Sequence, residues 1–104
     1  MEDIRLVLST FPSIGEARQI GTVLVEKQLA ACVNLLPGVE SIYHWQGRVE
    51  TASEVLAIFK TTAARQPDLC AALAALHPYE VPEILALEPS AVFPAYAKWI
   101  FEAL

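Results

Sequence analysis

The stretch Val39–Lys60, VESIYHWQGRVETASEVLAIFK, is two strands folded about a turn. Along Val39 to Trp45, positions Val39, Ser41, Tyr43 and Trp45 alternate with Glu40, Ile42 and His44, the period-two pattern of an extended chain. Gln46-Gly47 is a two-residue pair of the kind that closes a hairpin, and Arg48 to Lys60 returns as a long strand. The returning strand becomes apolar at every position from Val55 to Phe59. Leu56 and Ile58 take one face, and Val55, Ala57 and Phe59 take the other. A strand that is apolar on both faces must be covered on both.

The flanking sequence gives the layers. Ile4 to Ser9 reads as a strand, with Leu6 and Leu8 on one face and Val7 on the other, and Thr10-Phe11-Pro12 breaks it. Ser13 and Glu16 then form the S-x-x-E pattern of a capping box. Ala17, Ile20, Gly21, Leu24 and Val25 follow with the spacing of a buried helical stripe. Ala31 to Leu36 is β-like, and Pro37-Gly38 is a turn or bend before the hairpin. After the hairpin, Pro67 suits the first turn of a helix whose stripe is Leu69, Ala72, Leu73 and Leu76, ended by His77-Pro78. Pro82 to Glu88 predicts a further strand, with Ile84 and Ala86 opposing Leu85 and Leu87. A last short helix places Tyr96, Trp99, Ile100 and Ala103 on one face.

The predicted order is β-α-β-β-α-β with an added C-terminal helix, an α+β chain of the ferredoxin-like split βαβ type, one domain over residues 1–104. That topology carries both main helices on one face of the sheet. Three strands are nevertheless apolar on both faces, so a partner subunit is expected to cover the open one. Composition agrees. Apolar residues make up 55% of a 104-residue chain and charged residues only 18%, a surplus that suits a surface covered by another subunit.

The net charge of −5 gives no electrostatic footprint for nucleic acid, and no basic run is present to hold an anionic membrane. No window approaches the roughly 20 apolar residues of a membrane span. Met1-Glu2-Asp3-Ile4-Arg5 lacks the charged start and apolar run of a signal peptide. Cys32 and Cys70 form no C-x-x-C. The expected compartment is the cytoplasm, with both thiols reduced.

Several segments, in order, resemble the CutA divalent-cation-tolerance family. They are Leu29-Ala30-Ala31-Cys32-Val33-Asn34, the run Pro37 to Gly47, Glu54-Val55 with Lys60-Thr61-Thr62, His77-Pro78-Tyr79-Glu80-Val81-Pro82-Glu83, and Tyr96 with Trp99. The match runs over nearly the whole chain. The resemblance implies a compact homotrimer of ferredoxin-like subunits, similar to the PII signalling proteins, with a role in tolerance of divalent cations, copper above all. It implies no defined reaction. Some members use the histidine at the His77 position for copper, together with a histidine just before it and a cysteine at the end of the first strand. Here those two places hold Leu76 and Ser9.

The candidate site residues follow. Cys32 reads on residue type alone as a small buried hydrophobe, and its place in the family signature adds the reading of a soft-metal thiolate. His77 reads as a helix C-terminal cap, where an imidazolium meets the dipole, or as a metal ligand. Glu54 and Lys60 share a strand face. With Cys32, Asn34, Trp45, Tyr79 and Glu83 they are candidates for a cleft between subunits, Lys60 holding an anion, or for an intersubunit network of ion pairs and hydrogen bonds. His44 alternates away from Tyr43 and Trp45 and is expected to be exposed. No Walker, G-x-G-x-x-G, HExxH or G-x-S-x-G motif occurs, so no enzyme is expected. Three functions therefore compete: a metal-response homotrimer with weak copper or other divalent-metal binding, a PII-like sensor or scaffold with clefts between subunits, and a cysteine-dependent enzyme. The first is the leading expectation.

Overall fold

The computed structural model describes residues 3–104; Met1 and Glu2, on which the reading of the N-terminus partly rests, lie outside the described residues. The element order is β1 (Ile4–Phe11), α1 (Ile14–Glu26), β2 (Cys32–Trp45), β3 (Arg48–Thr62), α2 (Gln66–Leu76), β4 (Leu85–Leu87) and α3 (Pro94–Glu102). The four strands form one sheet in the order β2-β3-β1-β4, every neighbouring pair antiparallel.

Alternation along β1 and β3 sorts the layers. Val7, Val55, Ala57 and Phe59 are buried against Ala17, Ile20 and Leu24 of α1 and Leu69 and Leu73 of α2. At 25 cal/mol per Å², burying each of the larger of these side chains stabilises the fold by about 1.5–3 kcal/mol. The helix α1 starts as its sequence dictates. Ser13 Oγ accepts the Glu16 N–H at 3.2 Å, and the Ser13 hydroxyl donates to the Glu16 carboxylate at 3.0 Å. Glu16 thus takes the cap residue's hydroxyl, where a full capping box would use its backbone N–H.

The opposite face is open. Cross-strand neighbours there form apolar rows: Ile58–Leu8–Leu85, and Leu6 with Leu87. Leu56 faces Leu36 across the other side of β3. Leu36, Leu85 and Leu87 are 42%, 52% and 44% exposed. Among the described residues only α3 sits on this side, at the Ile4 end, where Ala97 and Ile100 bury Ile4.

Three expectations are corrected. The strand predicted over Pro82–Glu88 shrinks to Leu85–Leu87, because Pro82 has no N–H to donate and β4 lies at the sheet edge, bonded only to β1. Pro37-Gly38 does not separate two strands. It forms a bulge inside one, with Leu36 opposite Leu56 and Val39 opposite Glu54, so three steps on β2 match two on β3. Gly38 absorbs the extra residue at φ +77°. The buried stripe of α3 is Ala97 and Ile100, while Tyr96 and Trp99 stay 40% and 48% exposed, their rings stacked 5.8 Å apart.

The bulge also exchanges faces. Before it, Cys32, Asn34 and Leu36 share the open side; after it, Val39, Ser41, Tyr43 and Trp45 do. β1 supports β3 only as far as Val55, opposite Phe11. From Glu54 to Arg48, β3 pairs with β2 alone. The hairpin therefore leaves the body as a two-stranded arm of about 20 Å at 3.4 Å per residue. Gln46 and Gly47 close it with φ of +49° and +78°, the double positive φ of a type I′ turn.

Candidate functional site

The nominated residues gather at two places and leave two outliers. The first place is the open sheet face beside α3. Cys32 begins β2 directly opposite Lys60, and Asn34 lies opposite Ile58. The Cys32 Sγ is 3.6 Å from the Tyr96 hydroxyl. That contact, with burial, raises the Tyr96 pKa above its ordinary value, the contact being the larger cause. The phenol therefore keeps its proton, and either the thiol or the hydroxyl can donate across the contact. Lys60 makes no ion pair among the described residues. Tyr96 completes this group, although the sequence placed it only in the family resemblance and on the apolar face of the last helix, not among the site residues.

The second place is where α2 ends against the root of the arm. The helix ends at His77, whose N–H bonds the Leu73 carbonyl at 3.0 Å. The His77 ring is buried, stacked on Phe11 with centroids 4.5 Å apart. Its Nδ1 accepts the Tyr79 N–H at 3.1 Å, which fixes the proton on Nε2. Nε2–H in turn donates to the Thr10 carbonyl at 2.9 Å, with the buried Ser9 Oγ at 3.1 Å. Burial lowers the His77 pKa below 6.5, outweighing the raising effects of the Thr10 carbonyl, Glu16 and Glu54. The expectation of an imidazolium at the helix end is corrected: the ring is neutral because its surroundings remove water from it. Tyr79 donates its hydroxyl to Glu54 Oε2 at 2.7 Å. Burial foremost, then the hydrogen bond and charge of Glu54, raise the Tyr79 pKa well above its ordinary value. Ser9 and the Thr10 carbonyl were missed as partners. Ser9 is a polar residue on the buried face of an apolar strand, and that conflict with the pattern was its signal.

The outliers are Trp45, 54% exposed near the tip of the arm, and Glu83, exposed in the segment before β4. His44 is exposed, as its alternation requires.

Cys32 and His77 do not share a site within one chain. Cys32 lies on the Lys60–Leu6 row, on the open face. His77 bonds Ser9 and Thr10, three to four residues further along β1, with Ser9 on the helix-covered face. The separation along the strand alone is about 10 Å. Among the described residues no group of three or more His, Cys, Asp or Glu side chains is placed to hold a metal ion. Both His77 ring nitrogens are already engaged. The donors of a single chain therefore do not fit a copper ion at His77.

Comparison with known proteins fixes the family. Residues 5–103 match the family model described as CutA1 divalent ion tolerance protein. The chain belongs to the CutA1 family. The divalent-cation tolerance protein CutA of Thermus thermophilus is 48% identical over 102 residues, covering 98% of this chain and 97% of that protein. Protein CutA of Mus musculus is 43% identical over 93 residues, covering 89% of this chain; the chain spans about half, 52%, of that longer relative. The crystal structure of CutA from Xylella fastidiosa superposes with a TM-score of 0.94 at 42% identity, covering 97% of each chain. No helix among the described residues is long and apolar enough to cross a membrane.

Proposed function

We propose that this CutA1 chain works in the response to divalent cations as a homotrimer of ferredoxin-like subunits, in the cytoplasm and without catalysis of its own. The observation that supports it is the uncovered apolar surface: the Leu6, Leu8, Leu36, Leu56, Ile58, Leu85 and Leu87 face, and an arm carrying Ile42, Tyr43, Trp45 and Val49 at 42–69% exposure. A chain this small does not leave so much apolar surface in water. A second copy offers a matching face, and closed symmetry satisfies every copy at once. Sedimentation at micromolar protein should give a single species of three chains. A stable, soluble monomer there refutes the proposal.

The metal role is proposed at the level of the assembly. On the open face a single subunit offers Cys32 as a soft donor, and a closed site needs donors from neighbouring copies, Glu83 being one. Calorimetry with Cu(I) and Cu(II) should find weak binding that Cys32→Ser reduces and His77→Ala leaves nearly unchanged in the trimer that survives. Tight binding lost in His77→Ala would return the site to the histidine. The PII-like reading, a small anion held between subunits, keeps one observation in its favour: Lys60 stands opposite Cys32 without an ion-pair partner among the described residues.

A further inference from the structure

Side-chain hydrogen bonds among the described residues tie the arm to the body at one point. Among the described residues, the Tyr79–Glu54 hydrogen bond is the one side-chain hydrogen bond that links residues 39–54 to anything outside the hairpin. Its position is specific. Glu54 is the first residue of β3 beyond the reach of β1, and it pairs with Val39, the first residue of β2 after the bulge. Outward from this pair the sheet is only a two-stranded ribbon, a structure that is marginal in water by itself.

Tyr79 is itself held from the other side. His77 accepts its backbone N–H and lies against its ring, with centroids 5.1 Å apart. His77 in turn is stacked on Phe11 and donates to the Thr10 carbonyl. Phe11 is the cross-strand partner of Val55, next to Glu54. The chain of contacts Phe11–His77–Tyr79–Glu54 thus leaves the last supported pair of β1 and β3, Phe11 with Val55, passes through the end of α2, and returns to β3 one residue further out.

We propose that His77 and Tyr79 form a latch that sets the direction of the hairpin arm by gripping Glu54 at its root, and so prepares the arm to dock on a second copy of this chain. The consequence for docking rests on the assembly proposed above; the grip on the arm does not. Tyr79 is the gripping residue and His77 its positioning residue. The acceptor is a carboxylate, so the bond is of the stronger, charge-assisted kind, and its loss should release the arm without opening the sheet.

The test is hydrogen exchange of the full chain, read by mass spectrometry on peptides covering residues 39–54 and on peptides covering β1. Tyr79→Phe removes the hydroxyl and keeps the ring. Exchange in 39–54 should quicken about tenfold, while β1 keeps its rate. Glu54→Gln retains an oxygen acceptor and should give a smaller increase in the same peptides, which guards against a Tyr79 variant that fails to fold. Dilution of Tyr79→Phe should dissociate the assembly at about tenfold higher protein concentration than wild type. Arm exchange equal to wild type in both variants, at high and at low protein concentration, overturns the latch. A wild type that sediments as a monomer while Tyr79→Phe still speeds arm exchange overturns only the assembly reading.

Discussion

His77 shows how one side chain can be read correctly in place and wrongly in state. Its position at a helix end is plain from the following Pro78, because the residue before proline is pushed out of helical conformation. Its protonation state depends on Phe11, Ser9 and Thr10, 66 to 68 positions away, and no local pattern carries that. The consequence can be measured. Burial lowers the folded-state pKa below the unfolded value near 6.5, so below that pH the unfolded chain binds a proton that the folded chain refuses. The contribution is fully present above about pH 6.5 and is lost as pH falls toward the folded pKa. Urea midpoints of wild type should therefore drop between pH 7.5 and 5.5 by more than those of His77→Gln. At pH 7.5 the variant should itself be less stable by about 2–3 kcal/mol, since it loses a buried ring and leaves the Thr10 carbonyl and Tyr79 N–H to find other partners. Parallel pH dependences in the two proteins would mean that folding leaves the His77 pKa unchanged.

Elements were legible where their signals are local. Ser13 and Glu16 announce α1, Gln46-Gly47 announces the hairpin turn, and alternation in β3 gives both its faces. What failed was set by neighbours. The residues of β4 have strand character, yet only three find partners, because an edge strand forms only where β1 offers free backbone groups. Pro37-Gly38 reads as a break from its residue types, and only the pairing with β3 turns it into a bulge. That bulge decides which residues the arm presents on the open side. Gly38→Ala forces a side chain into φ +77° and should cost about 1 kcal/mol in the urea midpoint. At the tip, Trp45 is too exposed to support the fold of a single chain. Trp45→Ala should leave the far-ultraviolet circular dichroism unchanged and weaken the assembly by at least about 2 kcal/mol, the loss expected when an interface anchor is removed. An assembly that stays intact on extreme dilution would show that the arm docks through other residues.

The whole molecule is where an apolar sequence and a half-covered sheet come together. Val7, Val55, Ala57 and Phe59 account for one face, and α1 and α2 cover it. Leu8, Ile58 and Leu85 form a row on the other, and among the described residues nothing beyond α3 at the Ile4 end covers that face. This imbalance could be read from alternation alone, since the topology puts both main helices on one side. The division of the candidate residues between the Cys32 group and the His77 group could not, because it follows from strand register and the bulge. The imbalance yields the sharpest test of assembly. Leu85 is 52% exposed on the edge strand, so Leu85→Lys puts its charge in water in an isolated chain and should change the stability of that chain by no more than about 0.5 kcal/mol. In an assembly that covers the face, the same charge would be buried without a partner and should cost several kcal/mol. Wild type should therefore unfold at a temperature that rises with protein concentration, as linkage requires when subunits separate on unfolding. Leu85→Lys should sediment as a folded single chain, with a melting temperature independent of concentration. If it assembles like wild type, the open face is not the surface through which copies meet.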